Sequence, residues 1–398
     1  MSTTSADRSA RIRDWAESGV PALTGFPGGP PLIPPGTAAS TARRYTDRIA
    51  AATGGRVRLD GARLLGERTA FTGFRRGGTI SAGGHCRLLR TADGWAAVSC
   101  ARPDDPLLLG ALIGSAPVAD PWPGVADWLR AHTGTELAER ADLLGLAAGP
   151  VGAGTAAAPP EPLAPRSVEG LRVVDFSALW AGPLCAHLLG LAGARVIKVE
   201  TPTRPDGARR GDPDFYRLLH GGHESVVLDP GDPAGRRALH RLVASADIVL
   251  EASRPRALAG FGLDAAEFAD SGTTWISLTA HGRGSNRIGF GDDIAATAGL
   301  VARTEDSTPV FAGDAIADPL TGLAAAAVAM SAPADGSGRL WDIAMSAVVA
   351  ATLEPDSPTV TADESRIVAP TRRESAGPAP DSGRDTASVL GELGVRLG

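Results

Sequence analysis

The stretch LRVVDFSALWAGPLCAHLLGLAGARVIKVE, residues Leu171 to Glu200, decides the fold class. It begins and ends with short apolar runs rich in β-branched residues, and the apolar segment between them has the length of a helix. This order is typical of a βαβ unit, in which a helix joins two parallel strands. The turn before the helix, SALWAGP, has one glycine, whereas the dinucleotide-binding fingerprint has three spaced glycines.

Apolar runs of strand length recur further along the chain. They are ESVVLD, DIVLEA, WISLTA and RLWDIAM, and helical patterns such as DPAGRRALHRLVASA (Asp232–Ala246) separate several of them. Near-continuous apolar strands that alternate with helices indicate a parallel sheet covered on both faces. The predicted fold is therefore α/β, a Rossmann-like parallel sheet domain with helices on both faces plus a smaller α+β domain.

Changes in composition divide the chain into four predicted segments. They are a smaller α+β segment at 1–146, a linker at 147–167, the sheet domain at 168–351, and a Pro-rich tail with a terminal helix at 352–398. In the first segment, Asp93-Gly94 between two strand-like runs is a strong hairpin signal. The linker is rich in Ala, Gly and Pro, so we expect it to be extended and without packed elements.

The overall composition excludes several classes of protein. The 398 residues are 43% hydrophobic and 21% charged, which is ordinary for a soluble globular protein. A net charge of -6 argues against nucleic-acid binding, and no apolar run reaches the ~20 residues that span a bilayer. The start resembles no signal peptide, and the three cysteines (Cys86, Cys100, Cys185) have no zinc or disulfide spacing. We expect a cytoplasmic protein with no membrane or nucleic-acid partner.

The turn Ala181-Gly182-Pro183 lies where ligands bind in an open parallel sheet, beyond the carboxyl ends of the strands. Pro183 fits the first helical position, and Gly182 would let a ligand approach the backbone. Free amides and the helix dipole favour an anion there. Glu200 occupies the position of a ribose-binding acid, which would suit an NAD-dependent dehydrogenase. A tight turn without a ligand is the other interpretation of this stretch alone.

Motifs further along the chain resemble the class III coenzyme A transferases, the family of formyl-CoA transferase, the carnitine CoA-transferases and the α-methylacyl-CoA racemases. With the stretch quoted first, they are SVVLDPGDPAGRRALHRLVASADIVLEASRPRALAGFGLD, GFGDDIAATAG and IADPLTGLAAA, in order over about Leu171–Met345. The resemblance implies that the turn holds coenzyme A, which is a substrate and not a resident cofactor.

The order of segments differs from the family. The first segment, with its RRGG…GGH loop and ARPDD, resembles a piece that the family carries after the sheet domain. In the family, the small domain and the sheet domain of one chain are interleaved with those of a second chain. The resemblance therefore implies a homodimer whose small-molecule partners are an acyl-CoA and a carboxylate.

Asp318 is the candidate nucleophile. Family transferases use an aspartate that is followed four residues later by glycine at the start of a helix, and Asp318-Pro-Leu-Thr-Gly322 matches this pattern. The resemblance implies a CoA-transferase that moves coenzyme A from an acyl-CoA donor to a carboxylate acceptor through an aspartyl intermediate. From the residues alone, Asp before Pro is a common N-cap, and we expect a helix N-terminus to keep the carboxylate ionised.

The motif GFGDD places Asp292 and Asp293 before another helix. The resemblance implies that Asp293 is an acidic residue near Asp318. Racemases of the family have a histidine at the position of Asp292, so a 2-methylacyl-CoA racemase is an alternative, although a helix cap is the favoured interpretation of Asp292. With Asp314, these aspartates are also candidate Mg²⁺ ligands, while the family implies no metal.

The resemblance implies a coenzyme A site built from the turn and nearby arginines. The candidate residues are Leu179, Trp180, Ala181 and Gly182 in the turn, with Arg209, Arg210, Arg254 and Arg256 for the phosphates. Gly77 and Gly78 match a glycine loop of the family and are candidates for a lid over the acyl-enzyme, a plain surface loop being the alternative. Several positions in the site depart from the family pattern, so a non-catalytic CoA-binding or assembly protein is a third hypothesis.

Overall fold

A six-stranded sheet, parallel throughout, forms the centre of the protein in the computed structural model. The structure describes residues 5–116, 118–154, 157–252, 255–333, 336–354 and 357–395. Among the described residues, no helix has both the length and the apolar character to cross a membrane.

The first 80 residues are mainly helical and pack against the sheet domain. Their elements are α1 (Ser5–Ser18), a 3₁₀ turn (Pro21–Leu23), β1 (Leu32–Ile33), α2 (Ala38–Ala52), α3 (Gly61–Leu64) and α4 (Thr69–Thr72). Trp15, Ile49 and Leu65 are fully buried in the same hydrophobic core as Leu184 and Leu320 of the sheet domain. The expected single small domain at 1–146 is therefore wrong, because these short helices bury their apolar sides against the sheet domain.

A separate small unit follows these helices. Its elements are β2 (Cys86–Arg90), β3 (Trp95–Ser99), α5 (Asp105–Ile113), α6 (Trp122–Arg130), α7 (Gly134–Leu144) and β4 (Ala148–Pro150). Strands β2 and β3 are antiparallel and their register pairs Arg90 with Trp95, so Asp93-Gly94 lies in the connecting turn, as predicted. Val98, Leu109 and Leu129 belong to a core of their own.

The predicted linker contains packed structure at its beginning. Strand β4 lies within 147–167 and pairs with β3, and the N–H of Ser99 donates to the carbonyl of Ala147 at 2.9 Å. Backbone hydrogen bonds need no particular side chain, so a composition of Ala, Gly and Pro did not reveal this strand. The expectation of a linker without packed elements is wrong for this part.

The sheet domain contains the remaining strands and most of the helices. Its elements are β5 (Ala164–Pro165), β6 (Arg172–Asp175), α8 (Ala181–Leu191), β7 (Arg195–Glu200), a 3₁₀ turn (Gly207–Arg210), α9 (Pro213–His220), β8 (Glu224–Val227), α10 (Pro233–Ala244), β9 (Ile248–Glu251), α11 (Pro255–Ala259), α12 (Ala265–Asp270), β10 (Thr274–Thr279), α13 (Gly291–Ala298), β11 (Val301–Arg303), β12 (Pro309–Phe311), α14 (Ala317–Ala329), β13 (Ser331–Ala332), β14 (Arg339–Ala344) and α15 (Met345–Ala350). The strand order in the central sheet is β14-β10-β9-β6-β7-β8.

Both faces of the sheet are covered by apolar helix surfaces, as predicted. On one face, Leu184 of α8 and Leu320 of α14 share a core with the leading helices. On the other face, Leu239 of α10 packs in a second core with Val174 and Val249 of the sheet. Because β6, β7, β9 and β10 are buried from both sides, these strands appear as continuous apolar runs in the sequence.

The tail returns to two distant parts of the molecule. Its elements are β15 (Val360–Thr361), a 3₁₀ turn (Glu364–Arg366) and α16 (Thr386–Glu392). Strand β15 pairs with β1, and Leu390 of α16 is buried in the second core. The predicted terminal helix therefore forms and docks on the sheet domain, while the tail before it connects the sheet domain to the leading helices.

Candidate active site

A cavity of about 450 Å³ lies beyond the carboxyl ends of the central strands, between the sheet domain and the segment that precedes it. The residues that give it its chemistry are Leu179, Trp180, Arg210, Asp292 and Asp318 from the sheet domain and Arg68, His85, Cys86, Ser99 and Arg102 from the leading segment. The structure thus brings the predicted turn and the predicted nucleophile into one cavity.

The turn after β6 has a strained backbone at Leu179. Its φ is 68°, in the left-handed region that leucine rarely adopts. The N–H of Leu179 donates to Asp206 Oδ1 at 3.0 Å, and the side chain is 46% exposed. Such strain persists only where surrounding contacts enforce it, and it is common at ligand sites.

A buried group of Lys198, Asp206, His220 and His223, here called the histidine cluster, supports this turn from below. Lys198 Nζ lies 2.8 Å from Asp206 Oδ2 and donates to the carbonyl of Ser177 at 2.9 Å. Burial lowers the pKa of His223 to about 3 and that of His220 well below its ordinary value, and the charge of Lys198 contributes to both shifts. Both histidines are therefore neutral at physiological pH.

Gly182 and Pro183 were expected to admit a ligand and to begin the helix, respectively, but the structure gives both residues other positions and roles. Helix α8 begins at Ala181, so Pro183 is its third residue and not its first. A Cβ atom on Gly182 would lie 2.1 Å from Cβ of Ser177, so the glycine is required by the close approach of its own loop. Ala181 and Gly182 are both buried.

Asp318 is the second residue of α14, and the expectation that it is the N-cap is wrong. Ile316 holds the N-cap position, because the chain enters the helix through a turn in which Asp318 N donates to the carbonyl of Ala315. The N–H of Gly291 donates to the Asp318 carboxylate. A Cβ atom on Gly291 would lie 2.5 Å from Asp318 Oδ2, so only glycine allows this approach.

The environment of Asp318 does not keep it fully ionised, contrary to the expectation for a helix N-terminus. The side chain is partly exposed through the cavity but lies deep below the protein surface. Burial raises its pKa to about 7; the charge of Arg68 opposes this increase, and Asp292 and Asp314 add to it. A substantial fraction of Asp318 is therefore ionised only at neutral pH and above.

Asp292 and Asp293 have different surroundings. Asp292 lines the cavity, accepts from the N–H of Ala315 at 2.7 Å, and has a pKa raised to about 6 by burial and by Asp314. Asp293 is 2% exposed and lies behind the cavity, where it accepts from Ser99 Oγ at 2.7 Å and from the N–H of Phe290 at 3.0 Å. Burial raises the pKa of Asp293 to about 7. Of the two, Asp292 is the carboxyl that influences Asp318.

Arg68 of the leading segment was missed by the sequence reasoning. Its Nε and Nη2 donate to the two oxygens of Asp314 at 2.7 and 2.6 Å, and its guanidinium lies 4.7 Å from the ring centroid of Trp180. Arg68 is separated from Asp314 by 246 residues and belongs to no motif, so nothing local in the sequence indicates it. His85 and Arg102, by contrast, lie in the GGH and ARPDD motifs.

The aspartates do not form a shared metal site in the described part of the chain. Both oxygens of Asp314 are occupied by Arg68, and Asp293 is bound by Ser99 and by the backbone. The hypothesis that Asp292, Asp293, Asp314 and Asp318 together hold Mg²⁺ is therefore wrong, because hydrogen-bond donors already take the oxygens that a cation would need.

The predicted phosphate-binding arginines have different positions. Arg210 lines the cavity, and within the described residues its guanidinium makes no ion pair. Arg209 instead pairs with Glu200, which is 4% exposed, at distances down to 2.5 Å. This pair leaves Glu200 unavailable to a ribose. Arg254 and the side chain of Arg256 lie outside the described residues.

The candidate lid glycines lie in a loop that is bound to neighbouring backbone. Gly78 N donates to the carbonyl of Gly25, and its own carbonyl accepts from Phe311 N, both at 3.0 Å. Gly77 pairs with Ile80 in an isolated bridge. Gly83 of the same loop lines the cavity, so the lid role of Gly77 and Gly78 stays a prediction.

Residues 168–380 match CoA-transferase family III, which is more than half of the chain. The chain belongs to CoA-transferase family III. The match confirms the family expected from the motifs of the sheet domain, and it includes the turn, Asp292, Asp293 and Asp318. It begins at residue 168, so the resemblance of residues 1–146 to a later part of the family stays a prediction.

Several curated CoA-transferases are similar to this chain. Succinyl-CoA–D-citramalate CoA-transferase of Chloroflexus aurantiacus is 32% identical over 208 residues, which cover 48% of this chain and 52% of that protein. Succinate–glutarate CoA-transferase of Agrobacterium fabrum is 30% identical, covering 47% and 52%. Formyl-CoA:oxalate CoA-transferase of Rhodopseudomonas palustris is 30% identical, covering 40% of each chain. The chain therefore spans about half the length of the curated relatives it matches, or less.

Proposed function

We propose that this protein is an acyl-CoA:carboxylate CoA-transferase whose nucleophile is Asp318. The observation that carries the proposal is the position of the Asp318 carboxyl in one cavity with the turn at Leu179 and Trp180. The family and the relatives named above support coenzyme A transfer as the reaction class. Coenzyme A is a substrate in this proposal, and no separate cofactor is involved.

In the proposed reaction, Asp318 in its carboxylate form attacks the carbonyl carbon of the acyl-CoA thioester. The C–S bond breaks, which gives a mixed anhydride on Asp318 and a CoA thiolate. The thiolate then attacks the Asp318 carbonyl, releases the donor acid and forms an aspartyl-CoA thioester. Dividing the exchange into such steps lowers each barrier. The N–H of Gly291, which donates to Asp318, is suitably placed to stabilise charge on that carboxyl during each step.

The turn and Arg210 form the proposed coenzyme A site. Leu179, which is 46% exposed, and the buried Trp180 are apolar residues in the lining of the cavity, and Arg210 has a guanidinium available for a phosphate. Ala181 and Gly182 contribute through the start of α8, whose free amides favour an anion. The roles of Arg209, Arg254 and Arg256 stay predictions, and the pairing of Arg209 with Glu200 disfavours it as a phosphate ligand.

Asp293 is a supporting acid in this proposal. It holds the start of α13 through the N–H of Phe290 and connects this helix to β3 through Ser99. This helix also carries Gly291 and Asp292, so Asp293 fixes the groups that contact Asp318 and the cavity.

A racemase needs a base on each side of the α-carbon of its substrate. Asp292 stands where the racemases of the family have a histidine, so it is the candidate for the second base beside Asp318. Its pKa of about 6 suits a general base. The non-catalytic alternative predicts binding of CoA without any covalent adduct.

Three assays separate these three functions. The protein is mixed with a panel of acyl-CoAs and carboxylates, and the products and protein mass are followed by mass spectrometry. Transfer predicts new acyl-CoAs and a hydroxylamine-trapped hydroxamate at Asp318. Rapid α-deuteration of a 2-methylacyl-CoA in deuterated water, without an acceptor, would instead show a racemase. CoA that raises the melting temperature while neither reaction occurs would show a binding protein.

The homodimer and the cytoplasmic location expected from the sequence stay predictions. Light scattering of the intact protein tests the dimer, because a homodimer has twice the mass of one chain. A mass equal to one chain would contradict the homodimer. Fractionation of cells that express the tagged protein tests the location.

A further inference from the structure

The guanidinium of Arg68 is held along one edge and on one face. One of its terminal nitrogens has no hydrogen-bond partner among the described residues. Asp314 takes Nε and Nη2, and the ring of Trp180 lies against the guanidinium. Across the described residues, Nη1 takes part in no hydrogen bond with the protein. The side chain keeps 24% exposure and lines the cavity that contains Asp318. Its remaining donors are therefore available to a ligand in that cavity.

The acceptor of a CoA-transferase is itself an anion, and this cavity is unfavourable for anions. Asp292 lines it and Asp314 lies directly behind Arg68, so an incoming carboxylate meets like charges in a partly buried space even when Asp318 is uncharged as the CoA thioester. Arg68 is the cation whose charge acts on both Asp292 and Asp318. A carboxylate that contacts Arg68 is therefore favoured over one that approaches Asp318 without this contact.

We propose that Arg68 binds the carboxylate of the acceptor acid through Nη1 and holds it beside Asp318. This inference rests on the proposed function and adds the residue that recognises the second substrate. Asp314 is a positioning residue, because it fixes the plane and direction of the guanidinium without contacting the acid. Arginine suits this task because its charge is permanent and its donors lie in a fixed plane.

The bound acid then completes the transfer. One oxygen of the acceptor carboxylate bonds to the carbonyl carbon of the Asp318-CoA thioester, the C–S bond breaks, and CoA leaves as the thiolate. The thiolate attacks the acyl carbon of the acceptor in the new mixed anhydride, and Asp318 is released as a carboxylate. No oxidant, reductant or further reactant is needed.

The test uses the full chain with the double variant Arg68→Gln/Asp314→Asn. This variant removes one positive and one negative charge together, so no unpaired carboxylate is left behind and the charge balance around Asp318 changes little. Arg283→Gln/Glu251→Gln is the matched control, because this ion pair has nearly the same exposure as Arg68 and Asp314 but does not line the cavity. Circular dichroism and thermal melting check that each variant folds. Should the double variant not fold, Arg68→Lys replaces it, since a lysine paired with Asp314 has no planar fork to offer the acid.

Two readouts are measured for wild type and variants. The first is the KM for the acceptor and for the acyl-CoA in the transfer assay. The second is calorimetric binding of acetate, succinate and glutarate as free acids, which does not depend on turnover. We expect the acceptor KM and the Kd of the bound acid to rise at least about tenfold in the Arg68→Gln/Asp314→Asn variant. We expect less than about a threefold rise in its KM for acyl-CoA and in all constants of the control variant.

The outcomes separate this inference from the proposed function. Unchanged acceptor constants in an Arg68→Gln/Asp314→Asn variant that still transfers, or equal losses in the control variant, would overturn the role of Arg68 and leave the function intact. Binding of an acid that depends on Arg68, in a protein that never forms an Asp318 adduct, would support the role of Arg68 and refute the transferase. A wild type that binds none of the acids and transfers to none would refute both.

Discussion

Two buried groups of ionisable side chains lie on either side of the turn at Leu179, and they are built in opposite ways. The histidine cluster is closed: Lys198 and Asp206 are each 1% exposed and pair with each other. The carboxylate cluster (Asp292, Asp314 and Asp318, with Arg68) opens into a cavity of about 450 Å³. In the histidine cluster, the charges of Lys198 and Asp206 pair with each other and fix the backbone of the turn. In the carboxylate cluster, the acidic groups outnumber the one cation, and a guanidinium nitrogen of Arg68 has no hydrogen bond to the described protein. These groups are available to a ligand.

The difference also appears in the direction of the pKa shifts. Burial lowers the pKa of His223 to about 3, whereas burial raises the pKa of Asp318 to about 7. Both shifts favour the neutral form of the side chain. Only the pKa of Asp318 lies near physiological pH, where gain or loss of a proton alters the reactivity of the side chain. Burial of an ionisable side chain therefore does not by itself indicate a functional site. Burial beside a cavity, together with a pKa near neutral pH, does indicate one.

The largest effect is expected for Asp318→Asn in the carboxylate cluster. The amide has no anionic oxygen to attack a thioester, so transfer should fall by at least ~10³-fold. The melting temperature in the presence of CoA should still rise, because the turn and Arg210 are untouched. Transfer assays and thermal melts with and without CoA measure both effects. A variant that keeps a tenth of the wild-type rate would assign the nucleophile to another residue.

In the histidine cluster, Asp206→Asn should act on stability. The substitution leaves the Lys198 ammonium buried without its charge partner, which is expected to lower the free energy of unfolding by about 3–5 kcal/mol. Asp214→Asn is the matched control, because Asp214 forms an exposed pair with Arg217 and should change stability by less than ~0.5 kcal/mol. Denaturant unfolding curves provide the comparison. Equal, small effects of both variants would mean that the cluster is not a closed ionic unit.

The pH dependence of stability in the Asp293→Asn variant tests the contrast between buried acids and buried histidines. Folded Asp293 ionises near pH 7 and the unfolded residue near pH 4, so the unfolded state binds fewer protons between these values and the wild type loses stability as the pH rises. The asparagine variant avoids this loss. Its stability relative to wild type should rise by about 3 kcal/mol from pH 4 to pH 7, as urea curves at both pH values can measure. A difference that is independent of pH would mean that Asp293 has the same pKa in the folded and the unfolded protein.

In the histidine cluster, we expect a pH dependence of stability that has the opposite sign and is smaller than that of Asp293. Folded His223 has a pKa of about 3 and the unfolded residue about 6.5, so the unfolded state takes up a proton first and stability is lost as the pH falls below 6.5. His223→Leu should reduce the loss between pH 7 and pH 5 by about 2 kcal/mol. The same urea curves test this, and the slope against pH is compared rather than stability at one pH. A variant with the wild-type slope would show that His223 is protonated in the folded state.

The features that could be predicted from the sequence are those with a local pattern. The strands of the central sheet are short apolar runs, and each was found where its run predicts it. Asp318 lies in a five-residue motif, and the helical pattern that begins at Asp232 forms α10, with Asp232 accepting from Gly235 N at 2.9 Å. Local patterns were sufficient here because each interaction involves residues that are close in the chain.

The features that escaped prediction depend on distant partners. An amphipathic helix such as α2 shows that it has an apolar side, but its sequence does not show that this side packs on α14 instead of on the nearby hairpin. Arg68 has no pattern, since its role depends on Asp314 and Trp180. The raised pKa of Asp318 likewise follows from burial by several segments, so a helix N-terminus alone gave the wrong protonation.

The burial of Trp15 and Leu65 against α14 has a consequence during synthesis. These side chains leave the ribosome early, but the surface that covers them includes Leu320, which is made about 250 residues after Leu65. At roughly 5–20 residues per second, the delay is on the order of 10–50 s. For that time the nascent chain displays apolar helices with no partner, so we expect the leading segment to engage chaperones until α14 emerges.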